Sequence, residues 1–229
     1  MQVKYPGEER QYGAAARFID KKLQRGIVSF SLDELILETG LSPIAAKNQL
    51  LRLGRKVVRV RPRQPYFLIV QPERFAFGAP PPTWWLDGYF RWLKKPYYVA
   101  LLSAAAAYGS SHQAVQETQV MTDSCIRTIT IGRIRVRFFM KYNIANSKTR
   151  QLPMAHAPLV ISTPETTAYD LFRYADRIGG LERAREVIQP IMRQMKSNKL
   201  RAVIASERHN STAQLLEATF AATVKPRKR

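Results

Sequence analysis

The chain has 229 residues and a formal net charge of +20, from 37 lysines and arginines against 17 aspartates and glutamates. A hydrophobic content of 45% supports one large core or two small ones and excludes a disordered polycation. So large a cationic excess costs self-repulsion unless an anionic partner offsets it, and nucleic acid is the first candidate. The opening MQVKYPGEER has no apolar core of the secretory kind. The longest nearly apolar run, residues 97–109, falls short of the roughly 18 residues that span a membrane. With Cys125 alone and unable to form an internal disulfide, these features point to the cytoplasm and to no membrane partner.

In chain order, the N-terminal part predicts three helices and a hairpin. Ala15, Phe18, Ile19 and Leu23 repeat at helical spacing over residues 14–26, with Gly26 as the stop. A second helix starts from Ser31 as N-cap, has acids in its first turn and ends at Gly40. The third has Ser42 as N-cap and Pro43 at its first position, with Ala46, Leu50 and Leu53 as a buried stripe. That stripe leaves Ile44, Lys47, Asn48 and Arg52 facing outward. Gly54 closes the helix, and VVRVRP and PYFLIV form two strands around the turn PRQP.

Helix, short turn, helix, then a basic two-stranded ribbon is the order of a winged helix-turn-helix. Seven lysines and arginines lie between Lys47 and Arg63 with no acid among them. Double-stranded DNA is the partner this order predicts. The third helix would enter the major groove, where Asn pairs with adenine and Lys or Arg with guanine. Arg55, Lys56, Arg59, Arg61 and Arg63 would neutralise phosphates on or near the wing, with Arg59 and Arg61 on one exposed strand face. For any single cation, a solvated surface is the alternative. Lys21, Lys22 and Arg25 serve either DNA backbone contact or solubility.

Pro80, Pro81 and Pro82 oppose both helix interiors and central strands, and set a boundary between residues 1–82 and 83–229. The two sides hold 14 basic and 7 acidic residues, and 23 basic and 10 acidic, so both are basic. Past the boundary the sequence predicts a short amphipathic helix in WWLDGYFRWL and an Ala-rich helix over 96–109. A strand follows over 127–139, with Arg133, Arg135 and Arg137 on one face and Ile134, Val136 and Phe138 on the other. Ser162 and Glu165 have capping-box spacing, with Pro164 in the first turn. Leu181, Ala184, Ile188, Ile191 and Met195 share a helix face, and Leu200, Val203 and Ile204 continue the pattern. The fold class is α+β: a winged helix followed by a mixed domain with a small sheet and several helices.

Three stretches, YYVALLSAAAAYGSSHQAVQETQVMT (97–122), IGRIRVRFF (131–139) and VISTPETTAYDLFRY (160–174), together with the preceding winged helix, resemble the AbiEi antitoxins of type IV toxin-antitoxin systems. The resemblance implies a two-domain cytoplasmic protein. Its winged helix would repress its own operon at inverted repeats, and its C-terminal domain would counter a nucleotidyltransferase-like toxin. Arg133, Arg135 and Arg137 would then grip either DNA backbone or an acidic toxin surface.

Enzymatic motifs are not apparent. His112, His156 and His209 lie far apart, a lone Cys gives no paired-Cys metal spacing, and neither GxxxxGK[ST] nor GxSxG occurs. No catalytic residue, metal ligand or cofactor is expected. His112 and Gln113 are read as local hydrogen-bonding residues. A nuclease would need clustered acids from among Glu117, Asp123, Glu165 and Asp170. Three functions remain: antitoxin and autorepressor, plain winged-helix regulator with a ligand-sensing or dimerising second domain, and nucleic-acid-processing enzyme.

Overall fold

The computed structural model describes residues 13–110, 117–154, 156–207 and 209–224. The MQVKYPGEER segment, His112 with Gln113, and the KPRKR tail lie outside the described residues. The chain forms two compact units. The first runs to Lys94 and takes in Ile129–Arg135 and Pro153–Pro158; the second comprises Lys95–Thr128, Val136–Leu152 and the chain from Leu159 onward.

In the first unit, α1 (Ala14–Gln24) turns Ala15, Phe18 and Ile19 inward, as the spacing predicts. Lys22, expected at the surface, is buried instead. It is paired with Glu34 and lies 3.1 Å from Glu38 Oε1, both acids of α2 (Leu32–Thr39). Burial works to lower its pKa, but the two carboxylates outweigh that and hold it above the ordinary lysine value. Ser31 caps α2 with a full capping box, its hydroxyl accepting from Glu34 N at 3.1 Å while the Glu34 carboxylate accepts from Ser31 N. Gly40 ends the helix at a φ of 68°, in the left-handed region that favours glycine. α3 (Pro43–Arg52) starts from Ser42, whose hydroxyl accepts from Ala45 N at 3.2 Å. Caps of this kind stabilise by about 1 kcal/mol each.

These helices cover one face of an antiparallel sheet of β1 (Ser29–Ser31), β2 (Val57–Arg61) and β3 (Gln64–Ile69), in the order β1-β3-β2. Phe30 stacks on Phe67 with ring centroids 5.6 Å apart and takes Phe18 edge-on at 5.1 Å, joining Leu35, Ala46, Leu50 and Ile69 in one core. Tyr66 and Leu68 of β3 are buried as well, so the sheet's other face also needs cover. α4 (Leu86–Leu93) supplies part of it. Tyr66 lies 5.4 Å from Tyr89 and 5.2 Å from Trp92, and the Tyr89 hydroxyl donates to Gln64 Oε1 at 2.6 Å. The helix in WWLDGYFRWL thus belongs to the first unit. The compact division falls at Lys94, beyond the proline boundary at 82, because β3 is apolar on both faces.

The strand read over 127–139 is a hairpin. β6 (Ile129–Ile131) turns through Gly132 and Arg133 into β7 (Ile134–Met140). Gly132 has a φ of 55°, and a Cβ there would meet Phe77 O at 2.3 Å and Gly78 Cα at 2.9 Å. Arg133 N donates to Phe77 O at 2.9 Å. This backbone-to-backbone approach ties residues 129–135 into the first unit.

In the second unit, β4 (Tyr97–Val99) runs antiparallel to β5 (Thr118–Thr122) and parallel to β9 (Leu159–Ser162). β5 pairs in parallel with β7, and β8 (Thr149–Leu152) lies antiparallel on β9. The predicted helix over 96–109 therefore begins as a strand; only α5 (Leu101–Ala107) is helical. Gln119 fixes this strand-to-helix corner: its carbonyl accepts from Ala100 N at 2.9 Å and its side chain from Leu102 N at 3.0 Å.

α6 (Pro164–Arg173) packs with α7 (Leu181–Met192), α8 (Ser197–Ser206) and α9 (Asn210–Val224) around a core holding Leu101, Met121, Phe139, Leu171, Ile188, Ile191 and Val203. Leu181, expected on the buried stripe, is exposed at the start of α7. The capping box expected from Ser162 and Glu165 does not form. Thr163 is the cap, its hydroxyl accepting from Thr166 N at 3.3 Å, because Ser162 is the last residue of β9. Glu165 accepts instead from Lys196 N at 2.9 Å, at the start of α8.

Candidate functional site

The first candidate surface is built on α3 and the β2–β3 hairpin. The Ala46 and Leu50 stripe is buried, which fixes the helix rotation and leaves Ile44, Lys47, Asn48 and Arg52 exposed. Ser42 is exposed but committed to the cap. Beyond the helix, Arg55 and Lys56 are exposed in a single 3-10 turn, with the Arg55 guanidinium 4.3 Å from the Phe75 ring centroid. Arg59 is exposed on β2, lies over Phe67 at 5.1 Å and donates to Pro62 O at 2.7 Å. Arg63 is exposed in the two-residue turn.

Arg61 departs from the expected shared face. The β2–β3 register shifts between Arg59 and Arg61, so the alternation is interrupted. Arg61 is half-buried and interacts with the Tyr89 hydroxyl.

Of the arginines expected as a ladder on one strand, Arg135 and Arg137 lie two residues apart on β7 and Arg133 precedes the strand. Arg133 sits in the hairpin turn and Arg135 is exposed. Arg137 is half-buried in the second unit, its guanidinium 3.5 Å from Glu117 Oε1 and 5.0 Å from the Phe139 ring centroid.

The second unit contains an ionic cluster that sequence reasoning missed. Lys141 Nζ lies 2.8 Å from Asp170 Oδ1 and 2.6 Å from Glu207 Oε1, with side-chain exposures of 7%, 0% and 8% for the three residues. The Tyr98 hydroxyl donates to Asp170 Oδ2 at 2.7 Å. Burial, then the Asp170 charge, pushes the Tyr98 pKa well above the usual phenol value, so it remains a neutral donor. Burial lowers the Lys141 pKa, but attraction to Asp170 and Glu207 outweighs it and the net shift is upward. Lys141, Asp170, Glu207 and Tyr98 form a buried clamp of ion pairs and a hydrogen bond. It joins the residue after β7 to α6 and to the corner after α8.

The four acids weighed for a divalent ion are engaged with separate partners. Glu117 faces Arg137, Asp123 lies 3.8 Å from Lys95, Glu165 accepts from Lys196 N, and Asp170 sits in the clamp. Among the described residues, no group of three or more His, Cys, Asp or Glu is placed to hold a metal ion. His156 lies against Trp84, ring centroids 3.8 Å apart, with Nδ1 2.8 Å from Gly26 O. Among the described residues, no helix is long and apolar enough to cross a membrane.

Residues 98–218, more than half the chain, match the family described as AbiEi antitoxin C-terminal domain. The chain belongs to the AbiEi antitoxin family. In this AbiEi chain the matched region runs from within β4 through most of α9 and therefore takes in the whole Lys141 clamp. No curated protein matches the sequence. A solved structure of an antigenic nucleotidyltransferase-like protein from Paracoccidioides brasiliensis is 11% identical, covers 63% of this AbiEi chain and 92% of its own, and has a TM-score of 0.37. A likeness at that level carries no argument about activity.

Proposed function

We propose that the chain is a type IV antitoxin that also represses its own operon, acting by binding rather than catalysis. In this reading the first unit is a winged helix, with α3 in the major groove of operator DNA at inverted repeats and the β2–β3 hairpin along the phosphates. The second unit counters a nucleotidyltransferase-like toxin in the cytoplasm. The observation that carries the reading is the exposure of Lys47, Asn48, Arg52, Arg55, Lys56, Arg59 and Arg63 in an acid-free stretch, on a chain whose residues 98–218 match the AbiEi family. Phosphate neutralisation gives affinity; Lys47 and Asn48 give sequence preference.

The test uses the full-length chain with DNA from upstream of its own reading frame, and cells expressing the product of the adjoining reading frame. Binding together with restored growth supports the proposal. The Lys47→Ala/Asn48→Ala variant is expected to lose specific binding while still restoring growth. Binding without restored growth would make the chain an ordinary repressor, and turnover of nucleic acid would make it an enzyme.

A further inference from the structure

The exposed face of α3 is not purely polar. Ile44 is 73% exposed and Leu51 is 81% exposed. Seven residues apart, they lie almost on one line along the helix, separated by about 10.5 Å. Lys47 flanks that line on one side and Asn48 on the other, while Ala46 and Leu50 face the core. Two large aliphatic side chains therefore stand in water at the middle of the face that the DNA-binding reading directs at base edges.

Resting on that reading, we propose that Ile44 and Leu51 contact thymine methyl groups in the major groove, so that each bound half-site carries two thymines about three base pairs apart. The C5 methyl of thymine is the apolar feature of the major-groove edge, and aliphatic side chains read it by excluding water. The separation of the two residues matches roughly three base-pair rises of 3.4 Å. Asn48, between them in sequence, is placed to pair with an adenine inside the same interval. A protein partner fits the face less well. Interface cores are depleted of lysine, whereas here Lys47 stands beside Ile44 and Leu51 on the same helix face.

The experiment enriches duplexes from a random library with the full-length chain, then replaces each thymine of the best site by deoxyuridine, which lacks only the methyl. The expected result is two positions per half-site at which replacement weakens binding about fourfold. Leu51→Ala should erase that discrimination at one position and Ile44→Ala at the other, with the salt dependence unchanged. Leu51→Met, which keeps an aliphatic surface, should preserve it. Equal affinity for thymine and deoxyuridine duplexes overturns the inference and leaves DNA binding intact. Enrichment of no duplex overturns both. Self-association that is lost in Leu51→Ala, with no deoxyuridine effect, overturns the inference by making the face a protein interface.

Discussion

The exposed strip of the first unit and the buried clamp of the second treat positive charge in opposite ways. On the first, Lys47, Arg52, Arg55, Lys56 and Arg59 face water along a helix and hairpin free of acids. In the second, Lys141 is buried with Asp170 and Glu207 and aimed at nothing outside the fold. Exposed cations keep their hydration and give it up only to an incoming phosphate, so they contribute little to stability and much to binding. A buried cation has already lost its water, so its carboxylates are structural necessities. The net charge of +20 is thus informative about function only after the buried lysines have been told from the exposed ones.

The severest way to break this comparison is Lys141→Met. It leaves Asp170 and Glu207 buried without their cation and is expected to cost about 3–5 kcal/mol in urea unfolding. A loss below about 1 kcal/mol would show that the clamp is dispensable. By contrast, Lys47→Ala/Asn48→Ala should lower DNA affinity by about 1–3 kcal/mol for each base contact removed and leave the melting temperature unchanged. A fall in melting temperature would mean that the exposed face also holds the fold.

Alkaline pH probes the first unit from inside. Burial pushes the Tyr66 pKa up to about 12 from the ordinary phenol value of 10.0, with Ser29 as hydrogen-bond partner 2.9 Å away. Above about pH 10 the unfolded chain releases this proton while the folded chain retains it. Stability is therefore full below that value and falls as pH rises toward 12, by up to roughly 2–3 kcal/mol. Lys141, also raised, adds to the decline in the same direction. Tyr66→Phe should flatten the slope of stability against pH between about 10 and 12.

The smallest and most discriminating pair is Arg59→Ala against Arg61→Ala. Removing exposed Arg59 should reduce the slope of log affinity against log salt by about 0.9, the value for one lost phosphate contact. Removing Arg61, half-buried beside Tyr89, should lower stability by about 1 kcal/mol and leave that slope alone. Equal effects on the slope would return Arg61 to the outer face.

Local chemistry was legible in the sequence. Ser31 and Ser42 as caps, Gly40 as a stop and the inward Ala46 and Leu50 of α3 depend on neighbours within a turn or two, and the structure shows each; Leu53, expected on the same stripe, is half-buried just past the helix. Thr163 displaced Ser162 as a cap because a strand ending one residue later shifts a capping frame without altering its composition. The hairpin within 127–139 was hidden by its alternation, although Gly132 was the available signal for a two-residue turn. Tyr97–Val99 was absorbed into a helix by the alanines after it, despite an aromatic and β-branched composition suited to a strand. Nothing local announced the Lys141 clamp. Asp170 is 29 residues from Lys141, and Glu207 falls between two helices. Such a constellation is set by strand order, which the periodicity of single segments does not encode.

The contact of Gly132 with Phe77 and Gly78 has a bearing on inheritance. The first unit reclaims residues 129–135 and 153–158 from within the stretch that matches the antitoxin family. A single recombination breakpoint between codons 95 and 158 would give a daughter gene whose first unit mixed two parental lineages. At Gly132, any incoming side chain would collide with inherited backbone. The first unit and the matched antitoxin region are therefore expected to descend as one block, with reassortment limited to breakpoints nearer the ends of the gene.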